Sequence, residues 1–187
     1  MANAYRVSAN VTDEELARAT GGLIAFERTP RGLVLHWRWT SVLAIRWLLG
    51  MVLFGGLIWK EWDAKHSVAG NLSVPIFLLG ACGLYFAWVG FAYLGNRTRV
   101  VVDSDRIVVS HGPIPWPGGQ TIELARIAQI FVKRESYGSK GKRTVEFRVR
   151  ARTVDGKDVL LVNGPMYPDR AQAIEATLEA YLRIQRL

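Results

Sequence analysis

The stretch Thr40-Ser41-Val42-Leu43-Ala44-Ile45-Arg46-Trp47-Leu48-Leu49-Gly50-Met51-Val52-Leu53-Phe54-Gly55-Gly56-Leu57-Ile58-Trp59 contains a single charge, Arg46. As a helix rising 1.5 Å per residue it reaches roughly 30 Å, the thickness of a bilayer's hydrocarbon core. A second run, Val74 to Leu94, is about as long and carries no charge. Soluble core helices rarely continue this far without a polar face. The pattern predicts two transmembrane helices, near 40–59 and 74–94, joined by a short loop.

Composition agrees with this reading. The chain has 187 residues, of which 50% are hydrophobic. The apolar excess sits in the two runs, and the remainder reads as an ordinary soluble domain. The net charge is +8, which in a membrane protein is first a matter of topology. The first apolar run begins after a charged segment, too late for a cleaved signal. The one cysteine, Cys82, lies inside the second run, so no intrachain disulfide and no zinc spacing is available.

Orientation follows from the basic residues. Arg28, Arg31 and Arg38 precede the first run, and Arg97, Arg99 and Arg106 follow the second. The intervening loop has Lys60 and Lys65 beside Glu61 and Asp63. The excess on the terminal side predicts cytoplasmic termini in a multi-pass membrane protein. Trp37, Trp39 and Trp47 flank one end of the first run, and Trp59 and Trp62 the other, as an aromatic belt would. Arg46 is near enough to its helix end for the guanidinium to snorkel to the headgroups. Asn71-Leu72-Ser73 spells a glycosylation triplet, but Ser73 is better placed to cap the second helix, with Pro75 in its first turn. Gly80, Gly83, Ala87 and Gly90 fall on one helical face. A small-residue face lets backbones approach in lipid, either against the first helix or against a partner subunit.

The flanking segments read as α+β. Thr12-Asp13-Glu14-Glu15 predicts a capped helix that Gly21-Gly22 ends. Leu23–Glu27 and Leu33–Trp37, around Thr29-Pro30-Arg31-Gly32, read as a strand pair. After the membrane segments, strands are predicted at Thr98–Val102, Arg106–Ser110, Thr121–Leu124, Gln129–Glu135, Thr144–Arg152 and Asp158–Val162. Asp103-Ser104-Asp105 and Asp155-Gly156 supply turns. Pro168–Leu187 reads as one amphipathic helix, with Ile174, Leu178, Tyr181 and Leu182 inward and Glu175 and Glu179 outward. The divisions expected are 1–39 (short helix and strand pair), 40–94 (hairpin) and 97–187, although the first strand pair can also complete the later sheet.

Six strands followed by a covering helix resemble the pleckstrin-homology (PH) superfold, and in particular bacterial PH-like domains tethered to membrane hairpins. The resemblance rests on Arg99–Asp103, Asp105–Ser110, Gly112-Pro113-Ile114-Pro115, Thr121-Ile122-Glu123-Leu124 with Ile127 and Ile130, and the final helix. It implies a small β-barrel or curved antiparallel sheet capped by the C-terminal helix. The layout is also similar to that of the photosystem I assembly factor family, which implies an assembly or scaffolding role.

No catalytic constellation is visible. His36, His66 and His111 are scattered, with His66 on the opposite membrane side from the others. Gly138-Ser139-Lys140-Gly141-Lys142 lacks the spacing of a phosphate loop. Neither a metal nor a cofactor is expected. Nucleic acid is disfavoured because basic residues are mixed with acids and no stacking motif occurs. The expected function is that of a non-enzymatic, membrane-anchored interaction protein docking another membrane protein or complex. The alternative is an anionic-lipid headgroup binder, with Arg46, Lys140, Lys142 and Arg143 as its candidate lipid contacts. The acidic first turn, Asp103-Ser104-Asp105, does not carry over the headgroup site of PH domains.

Overall fold

The computed structural model describes residues 11–39, 42–67, 73–137, 144–162 and 167–182. They form α1 (Asp13–Thr20), β1 (Ala25–Thr29), β2 (Gly32–Arg38), α2 (Val42–Ser67), α3 (Ser73–Gly95), β3 (Arg97–Val102), β4 (Arg106–Gly112), β5 (Gln120–Glu123), β6 (Ile127–Tyr137), β7 (Thr144–Thr153), β8 (Asp158–Val162) and α4 (Pro168–Leu182). A 3₁₀ turn, Leu124–Arg126, joins β5 to β6. Two compact units result. One gathers residues 1–37, 97–111 and 116–187, and the other gathers 38–96 and 112–115.

The first unit is α+β. Its strands form a five-stranded sheet ordered β1-β2-β3-β4-β5 and a three-stranded sheet ordered β6-β7-β8. The strands flanking the apolar segments in sequence, β2 and β3, are therefore hydrogen-bonded neighbours. Along β3, Thr98, Val100 and Val102 point inward while Arg97 and Arg99 point out, the two-residue period of a half-buried strand. The core holds Leu16, Leu33, Leu35, Val100, Ile107, Ile127, Ile130, Leu161, Ile174 and Leu178, all fully buried. Each such aliphatic side chain stabilises the fold by about 1.5–3 kcal/mol.

Of the expected β-barrel or curved antiparallel sheet, antiparallel sheets are present and no closed barrel forms among the described residues. The two sheets stay separate. Between them the Gln120 side chain donates to the carbonyls of Leu160 and Leu161 on β8, the latter at 2.8 Å. One side chain thus meets carbonyls of a sheet edge where continuous strand pairing is absent. α4 lies on β6 and β7, and α1 packs on α4.

Local chemistry explains the ends of elements. Thr12 and Glu15 form a reciprocal capping box on α1, and Gly21 ends that helix in the left-handed region at φ 53°. Gly32 starts β2 at φ 154°, and a Cβ there would stand 1.9 Å from the Val102 carbonyl oxygen. Only glycine lets β2 and β3 approach at this point. The polar Glu175, expected to point away, is half-buried, and its carboxylate accepts from the Val132 N–H on β6, an edge strand. The helix thereby covers one donor of that edge.

The second unit contains α2 and α3, which pack along each other. α2 runs to Ser67, well past the expected end at Trp59, and His66 is in its last turn rather than in a loop. Its 26 residues reach about 39 Å. Residues 68–72, and so the Asn71-Leu72 part of the triplet, lie outside the described residues.

Among the described residues one helical run, Phe77–Gly95, is long and apolar enough to cross a membrane. The side chains described continuously on α2, from Ala44 to Lys60, make a shorter run that includes both Arg46 and Lys60. Among the described residues, length and composition thus show one of the two expected spans.

Candidate functional site

The hairpin helices turn their apolar side chains outward. On α3, Phe77, Leu84, Tyr85 and Phe91 are each more than half exposed. On α2 the same holds for Ile45, Leu49, Val52, Leu53 and Trp59. A helix that is apolar all round and uncovered is stable only in an apolar surrounding.

Between the helices, small residues and rings interlock. A Cβ on Gly50 would lie 2.2 Å from the Phe86 ring, and one on Gly90 would lie 2.9 Å from the end of Leu48. Gly83 has Phe54 Cβ at 3.6 Å from its Cβ position. Phe86 sits 5.1 Å, ring to ring, from both Trp47 and Phe54. Of the small-residue face, Gly83 and Gly90 are thus turned to α2, Ala87 is half-buried, and Gly80 has open space around it. Gly55 and Gly56 on α2 also face open space.

The expected aromatic belt needs correction at one end. Trp37 and Trp39 are buried, and Trp39 meets Tyr93 edge-on at 6.0 Å. Trp59 at the other end is 76% exposed. Amphipathic rings are used for packing as well as for headgroups, and sequence position alone does not separate these uses. The Trp62 side chain lies outside the described residues.

Asn96 ties the base of the hairpin. It is fully buried. Its N–H continues the α3 ladder to the Ala92 carbonyl at 2.9 Å, and its carbonyl accepts from the Trp39 N–H at 3.1 Å. Its side chain pairs with one residue of the β4–β5 link in both senses. Nδ2 donates to the Ile114 carbonyl at 2.9 Å, and Oδ1 accepts from the Ile114 N–H at 2.7 Å. Sequence reasoning passed over Asn96, although a lone amide between an apolar run and a strand is the available signal.

Arg46 is exposed on α2. Lys140, Lys142 and Arg143 lie outside the described residues. Nearby, the alternating charges of β6–β8 pair among themselves. Glu135 meets Arg150 at 2.6 Å, Arg148 at 3.1 Å and Lys133 at 3.9 Å. Arg148 also meets Glu146 at 3.0 Å. Asp158, hydrogen-bonded to Arg152 at 2.9 Å, has its carboxyl held below the usual range by that bond. Among the described residues, Glu135, Glu146 and Asp158 thus engage Lys133, Arg148, Arg150 and Arg152.

No family model matches this chain, and no curated protein matches it.

His111 on β4 shares a hydrogen bond of 3.0 Å with Thr98 Oγ1. Burial pushes its imidazole below the usual histidine range, against a hydrogen bond with the Gly118 backbone that pulls it up. Among the described residues no group of three or more His, Cys, Asp or Glu could hold a metal ion. Cys82 is exposed on α3.

Proposed function

We propose that this chain is a membrane-anchored interaction protein with no catalytic role. In this reading both α2 and α3 cross the bilayer, and the α+β unit is held at the cytoplasmic face. The observation that carries it is the exposed apolar surface on both helices, Ile45, Leu49, Val52 and Leu53 on α2 and Phe77, Leu84 and Phe91 on α3. Lipid is the surrounding in which those side chains cost nothing to expose. The excess of arginines at the terminal ends of the hairpin supports the orientation. The reach of α2, about 39 Å by its length, leaves room for its polar end, Lys60 to Ser67, to emerge beyond the apolar layer.

The α+β unit then serves as the docking element for another membrane protein or complex, as in an assembly factor or accessory subunit. Its PH-like character and the likeness in layout to photosystem I assembly factors remain part of this proposal. The small-residue face is a weak candidate for the contact, because Gly83 and Gly90 are already used against α2. Lipid-headgroup binding is weakened in turn by the pairing of Lys133, Arg148, Arg150 and Arg152 with carboxylates.

Purification of the full chain in mild detergent distinguishes these readings. A stoichiometric protein partner that survives gel filtration supports the docking role. A monomer that instead binds phosphatidylserine vesicles through its soluble face overturns it. A reporter fused after Leu187 tests the orientation, and activity confined to the outer side of the membrane overturns that part.

A further inference from the structure

We infer that the link Gly112-Pro113-Ile114-Pro115 is a third membrane contact, resting in the headgroup region of the bilayer beside the C-terminal end of α3. The inference rests on the reading that the hairpin crosses the bilayer.

Position comes first. The link belongs to the same compact unit as α2 and α3, although the strands it joins belong to the other unit. Asn96 holds it there through the two bonds to Ile114. A Cβ on Gly95, the last residue of α3, would stand 3.7 Å from Ile114 Cδ1. The link is therefore level with the end of the apolar run Phe77–Gly95. Phe91 and Leu94 are also exposed on the last turns of α3.

Chemistry comes second. Backbone N–H and C=O groups are what keep loops out of apolar surroundings, since each one left unpaired costs free energy there. This link is unusually short of them. Pro113 and Pro115 have no N–H to satisfy, and both are exposed. Ile114 has both backbone groups paired with Asn96. The outward parts are two pyrrolidine rings, Ile114 is half-buried, and there is no charge among the four residues. In water, a polar loop would connect β4 and β5 more cheaply. At a bilayer interface this composition is an advantage.

The occupant is the lipid interface rather than a protein groove. The link is adjacent to a surface that already requires lipid, and arginines Arg97 and Arg99 follow α3 directly, as at a headgroup layer.

The test uses the full chain with Cys82→Ser and one new cysteine, Pro115→Cys, labelled with an environment-sensitive fluorophore. The exposed position leaves the Asn96–Ile114 bonds in place. The chain is reconstituted in phosphatidylcholine vesicles containing nitroxide lipids, with the spin label either near the headgroup or deep in the acyl chain. A second chain carries the label through Leu84→Cys, midway along α3. The inference expects shallow nitroxides to quench the label at 115 about twofold or more over deep ones, as for groups buried about 5–10 Å into the boundary. It expects the label at 84 to respond most to deep nitroxides. If the label at 84 is quenched and that at 115 is not, the link is not a membrane contact and the anchor stands. A label at 115 shielded from iodide yet untouched by nitroxide lipids means protein covers the link, which also overturns the inference. If neither label responds to lipid, the anchor reading fails and this one falls with it.

Discussion

In the α+β unit Leu33 and Leu35 are fully buried, whereas in the hairpin Leu49, Leu53 and Leu84 are each more than 60% exposed. The same residue type is sorted in opposite directions within one chain. Charges follow the same division. Glu135, Arg148 and Arg150 pair across neighbouring strands of the α+β unit, while Leu48 to Trp59 carries no charge at all. Under the proposed reading each arrangement suits a different solvent, water for the α+β unit and lipid for the hairpin.

The largest expected effect breaks that contrast directly. Leu53→Lys and Leu84→Lys should each impair membrane integration by about 3 kcal/mol, the scale for a lysine at the centre of a membrane helix. Thr121→Lys, an exposed change on β5, should stay within about 0.5 kcal/mol. Resistance to alkaline extraction reads the first two, and chemical denaturation the third. If Leu53→Lys proves as harmless as Thr121→Lys, α2 does not face lipid.

Next in size is Gly32→Ala. Its methyl group collides with the Val102 carbonyl, and backbone cannot yield as a side chain does. About 2–3 kcal/mol of the α+β unit's stability should be lost, read from its urea midpoint in detergent.

Within the hairpin, Gly50→Ala must displace the Phe86 ring and should cost about 1–2 kcal/mol. Gly55→Ala meets nothing and should be neutral or favourable by up to about 1 kcal/mol, from helix propensity alone. Comparing the two by unfolding in mixed micelles separates the packed side of α2 from its open side.

The smallest effects concern pH, at His111 and Glu175 of the α+β unit. Burial lowers the pKa of His111, so its contribution to stability is present above about pH 6.5 and is lost as pH falls through the lower folded value. Glu175 has the opposite sign. Burial first, and then Glu179, raises its pKa, so its contribution is present below about pH 4.3 and is lost as pH rises through the folded value. His111→Gln should flatten the acid limb of the stability curve. Glu175→Gln should stabilise near neutral pH and leave stability at low pH unchanged. Thermal melts across pH 4 to 8, roughly the range spanned by the two groups, check both.

What was legible in the sequence had local causes. Thr12 with Glu15, Gly21, Asp155-Gly156 and the alternation of Glu146, Arg148 and Arg150 each fix their element without help from distant residues. The extent of α2 was not legible in the same way. Lys60, Glu61 and Asp63 end the apolar run, but they are compatible with helix, and no glycine or proline interrupts before Gly70. The place of Glu175 off the apolar stripe of α4 points to solvent, whereas its bond to the Val132 N–H depends on where an edge strand lies. The split into two sheets was also hidden, since it depends on which strands pair across long separations. Asn96 was missed for a related reason: its partner Ile114 is 18 residues away and contributes only backbone.

The order of the five-stranded sheet has a consequence for biosynthesis. β2 leaves the ribosome before α2 and α3, but its sheet neighbour β3 emerges only after them. A chain still waiting for its second helix holds β1 and β2 as an isolated pair with an open edge, a form that is marginal in water. The antiparallel return of α3, joined at its base by Asn96 and Trp39, then brings the two halves within pairing distance and shortens the loop that must be closed. Maturation of the sheet is thus coupled to correct placement of the helices. A chain whose hairpin goes astray would leave the β2 edge open, without β3 beside it.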